Sequence, residues 1–134
     1  MDKKKFIEQT AALAKNACEL NIKRRREGLA EIGDDIDAGA LKQNDIFAFG
    51  LRLAVDGIDS DNIEKTLNNM IDREQDENFK RLKIIQKEAV KGITEGLNSL
   101  TLCNILFSFL DKDEMKTLQG LLSGAEFKEY FKVF

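Results

Sequence analysis

The feature that most constrains the fold is the absence of proline from all 134 residues. Proline lacks a backbone N–H and its ring clashes with the preceding turn, so it is the usual terminator of a helix. Apolar residues recur at three- and four-residue spacing along most of the chain, and no segment alternates apolar and polar residues as a strand does. We therefore predict an all-α protein, a single-domain helical bundle over residues 1–134 with one long central helix.

The N-terminal half predicts two helices. The first should cover about 2–32, with Gly33 at the position that ends many helices. The second should begin after a cap at Asn44 or Asp45 and end near Val55. Because its residues are apolar nearly all round, we expect this helix at the centre of the core.

The third helix should begin after a cap at Asp59 or Ser60. Its apolar pattern is interrupted by polar residues over 72–78 and then resumes as far as Leu97. Because the polar gap contains neither glycine nor proline, we predict one helix that continues through it.

The C-terminal helices should occupy residues 97–134. The apolar stretch 97–110 is interrupted by Asn98 and Asn104 and is followed by charged residues. A membrane span needs about 20 predominantly apolar residues, so we predict a buried helix over 98–110, with another beginning near Asp113. The start of the chain has no apolar segment typical of a signal peptide.

A capping box at residues 123–126 is expected to start a last short helix. Its aromatic residues either close the core or form an exposed patch for a partner. The sequence leaves both interpretations open for Phe127, Tyr130, Phe131 and Phe134.

The chain contains no histidine, which excludes histidine-based acid–base catalysis and nearly all transition-metal sites. It has no glycine-rich phosphate-binding loop, and the acidic run 34–37 lacks the spacing of a calcium-binding loop. We therefore expect no enzymatic activity, no cofactor and no bound metal. Cys18 and Cys103 lie in apolar patterns and are interpreted as small buried hydrophobic residues in a reducing compartment. The sequence alone does not support a disulfide between them.

Basic residues are concentrated near the N-terminus. Residues 1–32 carry eight basic and five acidic side chains, whereas residues 33–64 carry two and eight. A nucleic-acid-binding protein needs a sustained basic face. Only the run 23–26 is basic here, so we expect no nucleic-acid partner.

Two motifs within residues 22–72 resemble a known family. The first is RRREGL at residues 24–29, and the second is FAFGLRLAVDGIDSDNIE at residues 47–64. Together they resemble the cytoplasmic segment of the MotA/TolQ/ExbB proton-channel family, above all its flagellar-motor stator subunits of the MotA type. In that family an R-x-x-G-L pattern precedes an apolar helix that ends in V-D-G-x-D.

The resemblance implies a cytoplasmic protein whose charged residues contact the switch complex of the rotor. When the motifs are matched on Gly28, the family's arginine falls on Arg25 and its glutamate falls on Gly33. Glu31 lies two positions early, on another helical face. The proline that often follows the family's turn is Ser60 here, and the channel helices have no counterpart.

We therefore predict a non-enzymatic interaction module of a flagellar motor or related energy-transducing complex. Its protein partner would be an acidic rotor or stator component, reached by electrostatic steering. Peripheral association with a membrane complex and assembly into a homo-oligomer are compatible with this role. The partner-binding candidates are Lys23, Arg24, Arg25 and Arg26.

Three alternatives stay open. In the first, the arginines serve only as a solvated helix face, or Arg25 pairs structurally with an acid such as Asp35 or Glu64. In the second, the chain is a helical structural or regulatory protein that is unrelated to motility and that is either monomeric or homodimeric. The third alternative is an enzyme or small-ligand carrier with a pocket between its helices.

Overall fold

The computed structural model describes residues 1–37, 46–124 and 127 of the chain. In these residues it contains helices and no strand, which confirms the all-α prediction. In chain order the helices are α1 (Lys3–Glu27), a 3₁₀-helix (Leu29–Ile32), α2 (Gly33–Asp37), α3 (Ile46–Val55), α4 (Ser60–Asp72), α5 (Glu77–Glu95), α6 (Ser99–Phe107) and α7 (Lys112–Leu121).

The helix at the centre of the bundle is α5, which packs against α1, α3, α4 and α6. It runs parallel to α1: Asn78 near its start donates to the carbonyl of Met1, and Ile93 near its end accepts from Arg24 of α1. Buried residues from all along the described chain join one core. The largest fully buried side chains are Phe6, Phe47, Phe107, Ile32, Ile46, Leu51, Leu67, Leu82, Ile85, Ile93, Leu102 and Leu106.

The central position predicted for the second helix, α3, is confirmed. Phe47 and Leu51 are buried on one side of it, and the other large side chains of the helix are at least half-buried. A Cβ atom at Gly50 would lie 2.8 Å from Cγ2 of Val90 on α5. The glycine at this position therefore allows α3 to approach α5 more closely than a residue with a side chain would.

The prediction of one helix through the polar gap is wrong. α4 ends at Asp72 and α5 begins at Glu77. The carboxylate of Asp76 accepts a hydrogen bond of 2.8 Å from the backbone N–H of Phe79, and it thereby caps the new helix. The turn folds α5 back along α4, so that both apolar faces reach the same core.

The end of the first helix also differs from the prediction. α1 stops at Glu27, and Gly28 follows with a φ of 100°, donating its N–H to the carbonyl of Arg24. Gly33 is helical, with a φ of −56°, and begins α2. The early exit at Gly28 lets the short 3₁₀-helix turn Ile32 fully into the core.

The C-terminal helices agree with the prediction within a few residues. Asn98 caps α6 through a hydrogen bond of 2.8 Å from the N–H of Thr101. A capping box is present at Asp111 and Glu114, at the start of α7. Phe127 is buried. Several predictions lie outside the described residues: those for Tyr130, Phe131 and Phe134, part of the capping box at 123–126, and the caps at Asn44 and Asp45. No helix in the described ranges is long and apolar enough to cross a bilayer.

Candidate functional site

The two family-like motifs meet at one end of the bundle, which we call the motif end and define as residues 22–33, 52–64 and 91–97. The guanidinium of Arg52, on α3, donates to the carbonyl of Gly33 at 3.2 Å. The guanidinium of Arg24, on α1, donates to the carbonyl of Ile93 at 2.9 Å. The Arg24 contact places the first motif beside the C-terminal end of α5, and the ion pair of 3.4 Å between Lys91 of α5 and Glu64 places the second motif there as well.

Arg24 and Arg25 are bound to the end of α5. Arg24 donates to the carbonyls of Ile93 and Thr94, and Arg25 donates to the carbonyl of Gly96. The last carbonyls of a helix have no partner within the helix and carry partial negative charge, so cationic donors stabilise them. Gly96 ends α5 in the left-handed conformation with a φ of 72°, and the Arg24 guanidinium lies beside it, 3.7 Å from where a Cβ atom would be.

Lys23 and Arg26 flank these two arginines. The ammonium of Lys23 lies 3.0 Å from the carboxylate of Asp35, and this hydrogen bond raises the pKa of Lys23. Arg26 is exposed. Among the described contacts, Asp35 is thus paired with Lys23, while Arg25 binds a backbone carbonyl. In the alternative in which Arg25 is structural, it pairs with an acid such as Asp35 or Glu64, whereas the described contact of Arg25 is with the end of a helix.

The second motif forms an exposed turn between α3 and α4. The N–H groups of Gly57 and Ile58 donate to the carbonyls of Ala54 and Leu53, a hydrogen-bond pattern that commonly ends helices and needs a positive φ. Gly57 supplies a φ of 88°. Ile58 at the tip is 43% exposed, so an apolar side chain projects from an acidic turn.

Asp59, one of the two caps that the sequence predicted, caps the start of α4. Its carboxylate accepts from the backbone N–H and the side-chain amide of Asn62, at 2.9 and 2.8 Å. These hydrogen bonds hold the pKa of Asp59 below its usual value. The aspartate that completes the D-G-x-D pattern is therefore a helix cap as well as a surface charge.

The position that carries a glutamate in the stator family is enclosed in this protein. Gly33 is buried, and a Cβ atom there would lie 3.2 Å from Cγ1 of Val55 and 3.9 Å from Nη1 of Arg52. A glutamate at this position would have to displace its neighbours. Glu31, two positions before Gly33, is exposed.

A shallow cleft of about 150 Å³ lies between the start of α4 and the end of α5. Lys91 lies within it, 3.4 Å from the carboxylate of Glu64. Burial lowers the pKa of Lys91, but the neighbouring carboxylates, led by Glu88, outweigh burial and raise it. Pockets for drug-sized ligands measure about 300–1,000 Å³, so this cleft is smaller than a typical site of that kind.

Within residues 1–37, 46–124 and 127, no group of three or more acidic or cysteine side chains is placed to hold a metal ion. Comparisons with protein-family models, curated proteins and solved structures find no match to this chain. The resemblance to the stator family therefore rests on the two motifs themselves.

The sequence did not predict that Arg24 binds the end of α5, or that Arg52 binds the carbonyl of Gly33. The signal for Arg24 was present in part, because Gly96 follows an apolar-periodic segment and predicts an open helix end. Which cation lies against that end depends on how α1 packs alongside α5, and no local pattern contains that information.

Proposed function

We propose that this chain is a non-enzymatic protein-interaction module that acts in the cytoplasm, in a flagellar motor or a related energy-transducing complex. The observation that carries the proposal is the meeting of the two family-like motifs at the motif end. The two motifs are distant in the chain, yet the 3₁₀-helix that begins at Leu29 of the first motif packs on α3 of the second, and Arg52 of α3 donates to the carbonyl of Gly33 just beyond that 3₁₀-helix. A surface assembled from two such motifs is typical of a docking site.

The chemistry of the motif end fits an acidic protein partner. Arg25 and Arg26 are exposed at the end of α1, and they can steer an acidic surface toward the bundle. The apolar tip at Ile58 gives such a partner a contact that excludes water. Arg24 takes a different part, since its guanidinium is already held by the carbonyls of α5.

The proposal is tested by affinity capture from native cells, followed by binding measurements with the captured partner. Arg26→Glu reverses an exposed charge, and Arg25→Glu reverses a charge that also binds Gly96. We expect both variants to weaken association by about tenfold or more at low salt, and less at higher salt, because exposed charges are screened beyond about 8 Å at physiological ionic strength.

The matched control is Lys116→Glu, which makes the same change of charge at an exposed position on α7. It should leave association unchanged. Thermal midpoints measured on all three variants separate lost binding from unfolding. Unchanged binding in folded Arg25→Glu and Arg26→Glu would contradict the proposal, as would capture of only partners unrelated to motors or energy transduction.

A further inference from the structure

The two cysteines of the chain lie against each other in the core. The sulfur atoms of Cys18 on α1 and Cys103 on α6 are 3.1 Å apart. Both residues are free thiols, with exposed fractions of 6% and 0%. They are separated by 85 positions in the sequence, so only the packing of α6 on α1 brings them together.

We propose that Cys18 and Cys103 are a peroxide-sensitive thiol pair that oxidises to an intramolecular disulfide. The sulfur atoms need to move only about 1 Å closer to reach a disulfide bond length of about 2.05 Å. This inference is independent of the proposed docking function, since neither cysteine belongs to the motif end.

The two thiols differ in ways that assign their roles. Cys18 retains slight exposure, and its hydrogen bond with Cys103 lowers its pKa, against the effect of burial. The same hydrogen bond and burial raise the pKa of Cys103. The thiolate is the nucleophilic form of cysteine, so Cys18 is the sulfur that attacks peroxide and Cys103 is the thiol that resolves the product.

The reaction balances with hydrogen peroxide as the oxidant. The Cys18 thiolate attacks one peroxide oxygen, forming an S–O bond and breaking the O–O bond, and the departing hydroxide takes up a proton as water. The Cys103 sulfur then attacks the sulfur of the Cys18 sulfenic acid, forming the S–S bond and expelling the second oxygen as water with the Cys103 proton. The two thiols lose two electrons, which the peroxide gains.

The location of the pair gives the cross-link a structural consequence. One helical turn from Cys18, the side chain of Asn21 donates to the carbonyl of Leu97 and to the hydroxyl of Ser99. A disulfide at Cys103 therefore fixes α6 to α1 beside these contacts, close to the motif end. It also closes a long loop in the unfolded chain, which favours the folded state.

The test exposes the folded full-length chain to hydrogen peroxide, unfolds it in guanidinium chloride with iodoacetamide, and measures the intact mass. We expect a monomer about 2 Da lighter than the reduced chain, with no alkylated thiol, restored by dithiothreitol. The thermal midpoint of the oxidised form should rise by about 5–15 °C. Cys103→Ser should form no such product and should instead trap the Cys18 sulfenic acid with dimedone.

Two results would overturn the proposal. One is a folded wild-type chain that keeps two alkylatable thiols under peroxide, while the unfolded chain oxidises. The other is oxidation to sulfinic or sulfonic acid, or to cross-linked dimers, in place of the intramolecular disulfide. The wild-type readout decides the matter even if a serine variant fails to fold.

Discussion

The two ends of α5 are each held by an arginine, and the two arginines face different acceptors. Near its start, Arg81 binds the carboxylate of Glu114, which is 1% exposed. Near its end, Arg24 binds neutral backbone carbonyls. The first end depends on a buried pair of opposite charges, whereas the second depends on a cation that completes the hydrogen bonds of a helix terminus.

Glu114 has many partners at the first end. Its Oε1 atom accepts from Arg81 at 2.8 Å and from the backbone N–H of Asp111 at 2.9 Å, and its Oε2 atom accepts from the other Arg81 nitrogen. The Arg81 guanidinium also lies 4.0 Å from the centre of the Phe6 ring. Such a cluster holds three helices together, but each member depends on the others.

The second end of α5 should tolerate the loss of its arginine better than the first end, because the acceptors there carry no net charge. If Arg24 is removed, the carbonyls of Ile93 and Thr94 lie at a helix terminus, where water can replace the lost donor. An arginine's contribution to stability therefore depends on whether its removal leaves a buried charge or a solvated carbonyl without a donor. The larger cost follows when a buried charge loses its partner.

The largest effect is therefore expected at the first end. Arg81→Ala leaves the Glu114 carboxylate buried and without its cation, so we expect a loss of about 3–5 kcal/mol in the free energy of unfolding, measured by urea denaturation. Arg73→Ala, at an exposed arginine, should change stability by less than about 0.5 kcal/mol. A loss below about 1 kcal/mol for Arg81→Ala would show that water reaches Glu114.

The double variant Arg81→Met/Glu114→Leu sharpens this result. Replacing both charges by apolar side chains of similar size removes the orphaned carboxylate, so we expect most of the lost stability to return. If the double variant is as unstable as Arg81→Ala, the polar partners around the pair, and not the unpaired charge, account for the loss.

A smaller effect is expected at the second end. Arg24→Ala removes hydrogen bonds from a cation to two carbonyls, and we expect a loss of about 1–2 kcal/mol in the same urea measurement. Arg26→Ala is the matched control on the same turn of α1, and it should stay within about 0.5 kcal/mol of the wild type. Equal effects for the two variants would mean that the end of α5 is stable without Arg24.

The smallest difference between the two ends of α5 is expected in how the free energy of unfolding depends on pH. Burial raises the pKa of Glu114, but the hydrogen bonds from Arg81 and from the Asp111 N–H outweigh burial, so the pKa lies below its usual value. A carboxyl group with a lower pKa in the folded state stabilises that state above its unfolded pKa of about 4.3. This contribution is lost as the pH falls through the folded-state pKa.

Unfolding measured between about pH 6 and pH 2.5 should therefore show a shallower loss of stability for Glu114→Gln than for the wild type. Arg24→Ala should keep the wild-type slope, since backbone carbonyls do not titrate. The net effect is small because burial and hydrogen bonding oppose each other at Glu114. A wild-type slope in Glu114→Gln would place the acid sensitivity in other carboxylates, of which Asp111 is the nearest.

Much of the fold could be predicted from local patterns. The α3 helix, the turn at Gly57 and the cap at Asp59 follow from apolar spacing and from the preferences of glycine and aspartate. The predicted continuous third helix failed for a local reason as well, since an aspartate cap at Asp76 breaks a helix without glycine or proline. Gly28 and Gly33 were both possible ends of the first helix. The helix ends at Gly28, and this end allows Ile32 to lie in the core.

The candidate site was predictable only as a set of residues. The basic run 23–26 is visible in the sequence, but its four members have different contacts: Lys23 binds Asp35, Arg24 and Arg25 bind α5, and Arg26 is exposed. These differences depend on which helix lies alongside α1. Periodicity shows that a helix has a buried face, but it does not say which partner covers that face.

The sequence by itself determined the helical class, the approximate bounds of α3, α6 and α7 and the burial of the two cysteines, because these depend on spacing within a few residues. The tertiary structure alone decided that Cys18 lies against Cys103, that Arg81 pairs with Glu114 and that the two motifs share one end. Each of these pairs is separated by many residues in the chain. Their proximity depends on the order and direction in which the helices pack around α5, and that arrangement follows from the shapes of all the buried faces together.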